Sequence, residues 1–106
     1  MTQEISIPKY LYKVVSFETW QTCRETQELK LSTMDNEFIH LATEEQLPYV
    51  INKFWAGKHY FILKVEREKL IGKLVYESNR SKSDKFFHLY EGSIPLYSIT
   101  EVSKEI

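Results

Sequence analysis

Two histidines stand inside short apolar phrases, and their ring chemistry is the first clue to function. One phrase is Phe38-Ile39-His40-Leu41-Ala42-Thr43, the other Phe86-Phe87-His88-Leu89-Tyr90-Glu91-Gly92. An imidazole ionises near neutral pH, so it can donate, accept or ligate under working conditions. Both phrases read as strand, where successive side chains point to opposite faces. Phe38, His40 and Ala42 therefore share one face, with Ile39 and Leu41 on the other. By the same rule His88 shares a face with Phe86 and Tyr90. The small Ala42 leaves space beside the His40 ring. Glu77 ends a further strand-like segment, Lys73 to Glu77, just before a polar loop.

His40, Glu77 and His88 form the candidate catalytic set, and three chemistries could use them. Two histidines and a carboxylate could bind a metal such as iron(II) or zinc. The chain has no compact ligand spacing such as H-E-x-x-H or H-x-H, so no metal is assigned. The same groups could act as general acid and base. They could also hold the hydroxyls of a sugar or nucleotide, with Tyr12, Tyr90 or Trp55 stacking on a base. Plainer readings stand beside these: a buried histidine bonded to backbone, a strand-edge tyrosine with its hydroxyl in water, a solvated carboxylate. Arg80, Lys82 and Lys85 lie in the polar stretch Ser78 to Lys85 and could touch phosphates. A solvated loop is the plainer reading of that charge run. With Gly57, Gly72 and Gly92 as its only glycines, the chain cannot form a glycine-rich phosphate loop. Cys23, the sole cysteine, has no histidine beside it in sequence.

The elements that must position these residues follow from apolar spacing. Residues 1–10 read as an N-terminal arm and 11–106 as a single domain. Leu11, Tyr12, Val14 and Val15 predict a first strand, interrupted by Lys13. Ser16 can cap a short helix with Phe17 and Trp20 on one face. Residues 24–37 are polar, with a turn signal at Met34 to Glu37. Leu47, Val50, Ile51, Phe54 and Trp55 recur at helical spacing and predict a core-facing stripe. Thr43 with Gln46 resembles a capping box. Pro48 predicts either a loose first turn or a helix that begins near Leu47, and Gly57 should end it. His59 to Val65 is a strong strand with His59 as a surface or turn residue, and Glu66 to Leu70 a turn or single helical turn. Gly92 and Pro95 predict a turn before a closing strand, Leu96 to Val102. The order β-α-β-α-β-β-β-β gives an α+β fold with small mixed or antiparallel sheets and two main helices.

Composition narrows the function classes. The chain has 106 residues, 42% apolar and 14% aromatic, which suits a packed core rather than a disordered segment. Fourteen basic residues balance fifteen acidic ones for a net charge of −1, so no general nucleic-acid binding is expected. No apolar run approaches the roughly 20 residues that span a bilayer, so no membrane partner is expected either. The polar first residues and the single cysteine fit a cytoplasmic protein.

The ordered set Tyr12-Lys13-Val14, Trp20, Phe38 to Thr43, Gln46, Tyr76-Glu77 and Phe86 with His88-Leu89-Tyr90 resembles the DUF952 family of bacterial and plant proteins. The resemblance runs from about Leu11 to Val102. Three positions depart from the family pattern. Asn36-Glu37 stands for Asp-Gly, Phe87 for a proline, and Glu91 for a glycine directly after the tyrosine. The resemblance implies an ADP-ribosyltransferase-like fold, two small sheets clasping a cleft. Ile39-His40-Leu41-Ala42 is also similar to a histidine strand of RNA 2′-phosphotransferases, which share that fold and use NAD. By that likeness NAD or a related nucleotide is the ligand and the nicotinamide–ribose bond the one cleaved. His40 would hold ribose hydroxyls, Tyr12 or Tyr90 would stack, Thr43 and Arg80 would contact substrate, and Glu77 and His88 would orient the acceptor. A binding module without catalysis, a two-histidine metal site and a purely structural pair of histidines remain open beside it.

Overall fold

The computed structural model describes residues 8–30, 38–78 and 85–104. The expected turn at 34–37 and the middle of the polar loop, residues 79–84, lie outside the described residues. The chain runs β1 (Tyr10–Val15), α1 (Phe17–Thr26), β2 (Glu28–Leu29), β3 (Phe38–Leu41), α2 (Leu47–Phe54), β4 (Phe61–Glu66), β5 (Ile71–Ser78), β6 (Lys85–Pro95) and β7 (Ile99–Lys104). The described residues form an α+β fold with two α-helices and antiparallel sheets. In one sheet the strand order is β1-β4-β7; in the other, β6 pairs with β2, β3 and β5. Among the described residues an antiparallel bridge joins the sheets. The Tyr12 and Ala42 amides each donate to the other's carbonyl, at 2.8 and 2.9 Å.

Each expected helix and strand is present, and the differences have local causes. Ser16 caps α1, its hydroxyl oxygen accepting from the Thr19 amide at 3.1 Å. The helix continues through the polar residues Arg24, Glu25 and Thr26 and stops at Gln27, whose φ of 67° is left-handed. The helix thus takes in the first residues of the polar stretch, because those side chains tolerate a solvent-facing helix. The two-residue β2 follows, too short to leave a periodic signal.

Both expectations for the second helix hold at once. Thr43 and Gln46 close a capping box around a 3-10 turn, Glu44–Gln46, and α2 then starts at Leu47 with Pro48 in its first turn. A proline there loses no hydrogen bond that the helix could have made. The helix ends at Phe54, and Gly57 turns the chain with φ 76°. The expected core stripe needs correction. No residue of α2 is buried; Phe54 is 45% exposed, and only Trp55, just past the helix end, is buried. The two-turn helix lies at the rim, where Tyr49 meets Phe86 and Trp55 meets Tyr60.

The turn expected at Gly92 and Pro95 is also absent, and β6 runs unbroken for 11 residues. Gly92 instead lets two backbones touch. A β-carbon on Gly92 would stand 1.7 Å from the Ile71 carbonyl oxygen, and one on Gly72 would stand 2.6 Å from that of Tyr90. The register shifts between Ile71 and Lys73, so the strands kink past one another at a bulge. The closing strand begins later than expected, because Leu96–Ser98 forms a 3-10 turn before β7.

The core sits on one side of the histidine strands. Ile39, Leu41, Phe87, Leu89 and Ile94 cluster with Leu11, Val15, Leu63 and Val65 of the other sheet and Cys23 of α1. Strand alternation then sends Phe38, His40, Phe86, His88 and Tyr90 to the opposite face.

Candidate functional site

Strand register gathers the candidate residues. In the β3–β6 ladder His40 lies directly opposite His88, and Phe38 opposite Tyr90. On the other flank of β6, Val75 faces His88 and Glu77 faces Phe86. Opposed residues share a face, so Glu77 reaches His88 on the diagonal. Its Oε2 accepts a hydrogen bond from His88 Nδ1 at 2.7 Å and another from the Tyr90 hydroxyl. His40, Glu77 and His88, scattered over nearly 50 positions of sequence, are thus brought together on one face.

Aromatic rings enclose the pair. Phe38 stacks on His88 with centroids 3.9 Å apart and planes inclined by 21°. Phe38 also meets Tyr90 at 5.0 Å and His40 at 4.8 Å. The two imidazole centroids are 5.2 Å apart with planes at 75°. His88 is 1% exposed, whereas His40 is half-buried.

This arrangement sets the protonation states. Burial pushes the His88 imidazole below its ordinary 6.5, against the pull of the Glu77 carboxylate. The Tyr90 hydroxyl, and after it His88, holds the Glu77 carboxyl below its ordinary 4.5. At neutral pH the pair is therefore a carboxylate and a neutral imidazole. Since the carboxylate can only accept, the proton sits on Nδ1, and the in-plane lone pair is on Nε2.

The remaining candidates are placed as follows. Tyr12 sits opposite Ala42 in the bridge and so shares the face of His40; burial, then the charge of Glu44, pushes its phenol up. Thr43 is in the cap of the following turn, where its hydroxyl oxygen accepts from the Gln46 amide at 3.3 Å. Arg80 and Lys82 lie outside the described residues. Among the described residues no group of three or more His, Cys, Asp or Glu is clustered to hold a metal ion. None of the described helices is long and apolar enough to cross a membrane.

Two contributors to the site, and one buried charge away from it, went unassigned in the sequence reading. Phe38 was placed on the face of His40, but its stacking on His88 needs the β3–β6 register, which no local signal fixes. Gln46 was read as a cap only. Its Nε2 also donates to the Lys85 carbonyl at 2.7 Å and so ties the helix start to the first residue of β6. Lys13, read as an interruption, shares a face with Leu11 and Val15 and is only 6% exposed. Alternation along β1 carried that signal.

Comparison with known proteins agrees with this architecture. A family model described as a protein of unknown function, DUF952, matches residues 14–102. The crystal structure of protein CC0527 from Caulobacter crescentus superposes with a TM-score of 0.79 at 28% identity, covering 90% of this chain and 84% of that one. A double variant of the same Caulobacter protein superposes with a TM-score of 0.78 at the same identity and coverage. No curated protein matches the sequence.

Proposed function

The chain belongs to the DUF952 family, and from that premise we propose that the histidine face binds a ribose-containing nucleotide, NAD being the first to test. The observation that carries this reading is the Tyr90–Glu77–His88 chain of hydrogen bonds with His40 in register beside it. A ribose offers two adjacent hydroxyls, which suit two neighbouring imidazoles. His40 meets the ribose hydroxyls, and His88, anchored by Glu77, lies beside it in register. Tyr12 and Phe38 supply ring surface for a base, a role sequence reasoning gave to Tyr12 or Tyr90. The Tyr90 hydroxyl is committed to Glu77, which makes Tyr90 a positioning residue.

The same site suits ribosyl transfer. The nicotinamide–ribose bond would break with its electron pair staying on the nicotinamide nitrogen. An acceptor hydroxyl would bond to the ribose carbon and lose its proton to water, with His88 and Glu77 orienting the acceptor. The Glu77 carboxylate supplies a fixed negative charge toward the positive charge that develops on the ribose. The ADP-ribosyltransferase-like fold and an enzyme role in a cytoplasmic setting are part of this proposal. So is the division into an arm, 1–10, and a domain, 11–106.

Calorimetric titration of NAD and ADP-ribose, with a chelator present, tests it. Saturable binding to the wild type that is lost in folded His40→Ala is the expected result. No binding at millimolar ligand would overturn the nucleotide reading. Binding without product after long incubation would leave a binding module and remove the transfer step.

A further inference from the structure

We propose that the outer edge of β5 joins a second copy of this chain, strand to antiparallel strand, about a two-fold axis at Val75. The inference is independent of the nucleotide reading, because it uses only backbone directions and the side chains of one strand. β5 is eight residues long and, among the described residues, pairs with β6 alone. The backbone groups that face away from β6 follow from the ladder. Ala42 spends its amide and carbonyl on Tyr12. Bonding alternates from residue to residue in an antiparallel ladder, so Ile39 and Leu41 bond β6, and the His40–His88 pair exchanges no bonds. His88 and Tyr90 then turn their amides and carbonyls toward β5. The Tyr90 carbonyl oxygen does so, lying 2.6 Å from where a β-carbon on Gly72 would stand. Val75, opposite His88, is therefore bonded to β6, and Leu74 and Tyr76 on either side of it present amide and carbonyl outward. An unpaired row of this kind is a template for another strand.

The side chains select the occupant and the register. A two-fold axis pairs residues whose backbone groups point the same way, so near the middle of the strand it falls on Leu74, Val75 or Tyr76. Centred at Val75, Leu74 of one copy exchanges bonds with Tyr76 of the other, and Lys73 lies opposite Glu77. On one strand Lys73 and Glu77 stand about 13 Å apart, and within a copy Glu77 turns to His88 instead. An antiparallel second copy brings lysine and carboxylate together twice. Centring at Leu74 sets Lys73 against Val75, and centring at Tyr76 sets Glu77 against Val75, so neither pairs the charges. On the opposite face of the strand Tyr76 is 42% exposed and packs on Phe87 with centroids 4.6 Å apart. The second copy gives it Leu74 as a cross-strand neighbour. β7, the outer strand of the other sheet, lacks this symmetry, because Glu101 and Lys104 lie on opposite faces. Glu77 is the carboxylate that anchors His88, so each copy sets a lysine beside the other's candidate site.

Sedimentation velocity from about 10 μM to about 1 mM tests the dimer, since one strand edge makes a small interface and a weak association. The wild type should pass from monomer to dimer within that range. Lys73→Glu sets like charges opposite each other and should weaken association by about tenfold or more. Val75→Cys tests the register. Val75 meets its own counterpart at a pair without exchanged bonds, where α-carbons stand about 4.5 Å apart, within disulfide reach. With oxidised glutathione as oxidant, Val75→Cys should link into a covalent dimer. Ser78→Cys, whose two copies stand about 20 Å apart, should not. Cys23 is buried and does not compete. Far-ultraviolet circular dichroism establishes that each variant is folded. A wild type that stays monomeric at the top of the range would overturn the proposal. So would a folded Lys73→Glu that associates as well as the wild type, or a Val75→Cys that links no faster than Ser78→Cys. No nucleotide is present, so this proposal and the nucleotide reading can each fail alone.

Discussion

Gly92→Ala is the substitution whose cost can be worked out most directly. The added carbon would stand 1.7 Å from the Ile71 carbonyl oxygen and 2.5 Å from its carbon, whereas ordinary contact starts at 3.4 Å. Both partners are backbone, so no side chain can swing aside. The β5 and β6 chains would have to part by about 1.7 Å at the bulge. Overpacking costs about 1–3 kcal/mol, and each ladder hydrogen bond lost at the opening adds about 1 kcal/mol. A total of about 3 kcal/mol lowers the melting temperature of a domain of this size by about 10–20 °C. Thermal denaturation followed by circular dichroism measures it. Gly57→Ala is the control. That position has open space around it but φ 76°, so the substitution should cost only about 1–2 kcal/mol of left-handed strain. A Gly92→Ala protein melting within about 2 °C of the wild type would refute the close glycine contact and the kink derived from it.

Glu91→Gly should act in the opposite direction. Glu91 holds φ 52°, which costs a side-chain-bearing residue about 1–2 kcal/mol and glycine almost nothing. After the extra chain entropy of glycine, thermal melting should show a gain of up to about 1 kcal/mol. Gln46→Ala removes one arm of the capping box and the bond to the Lys85 carbonyl, so urea denaturation should show a loss of about 1–2 kcal/mol. Gln46→Glu, which keeps an acceptor for the Thr43 amide but no donor for Lys85, should fall between. Acidification should destabilise the protein in two stages. His88 and Glu77 both titrate lower in the folded state than in the unfolded chain, so the unfolded state binds their protons first. Stability should be full above pH 6.5, fall below it as the unfolded His88 protonates, and fall again below pH 4.5. The first stage has a slope of at most about 1.4 kcal/mol per pH unit. Urea titrations from pH 4 to 8 that show a flat profile through the first stage would contradict the buried neutral imidazole.

Much of this was legible in local pattern. Alternation placed Ile39 and Leu41 against His40, and the capping box at Thr43 and Gln46 is present as read. Pairing was not legible. Nothing in the phrases around His40 and His88 states that the two residues are opposite, because register depends on the whole hydrophobic pattern of both strands. The reach of Glu77 to His88 follows from the β5–β6 register, which a bulge at Gly72 shifts. The α2 stripe misled for a related reason. Apolar spacing reports an amphipathic helix but not how deeply its neighbours bury it, and this helix lies at the rim. Gly92 was read as a turn because glycine marks both turns and close backbone approaches. The departure at Glu91 pointed to that stretch, since the site of the missing glycine is the one with positive φ.

The most direct test of the central claim is a long-range ¹H–¹⁵N spectrum of the histidine side chains at pH 7, with Tyr90→Phe and Glu77→Gln for assignment. The site predicts that His88 is neutral, protonated on Nδ1 and unprotonated on Nε2, and that both substitutions perturb it. A His88 protonated on Nε2, or one indifferent to Glu77→Gln, would contradict the carboxylate anchor on which the proposed chemistry depends.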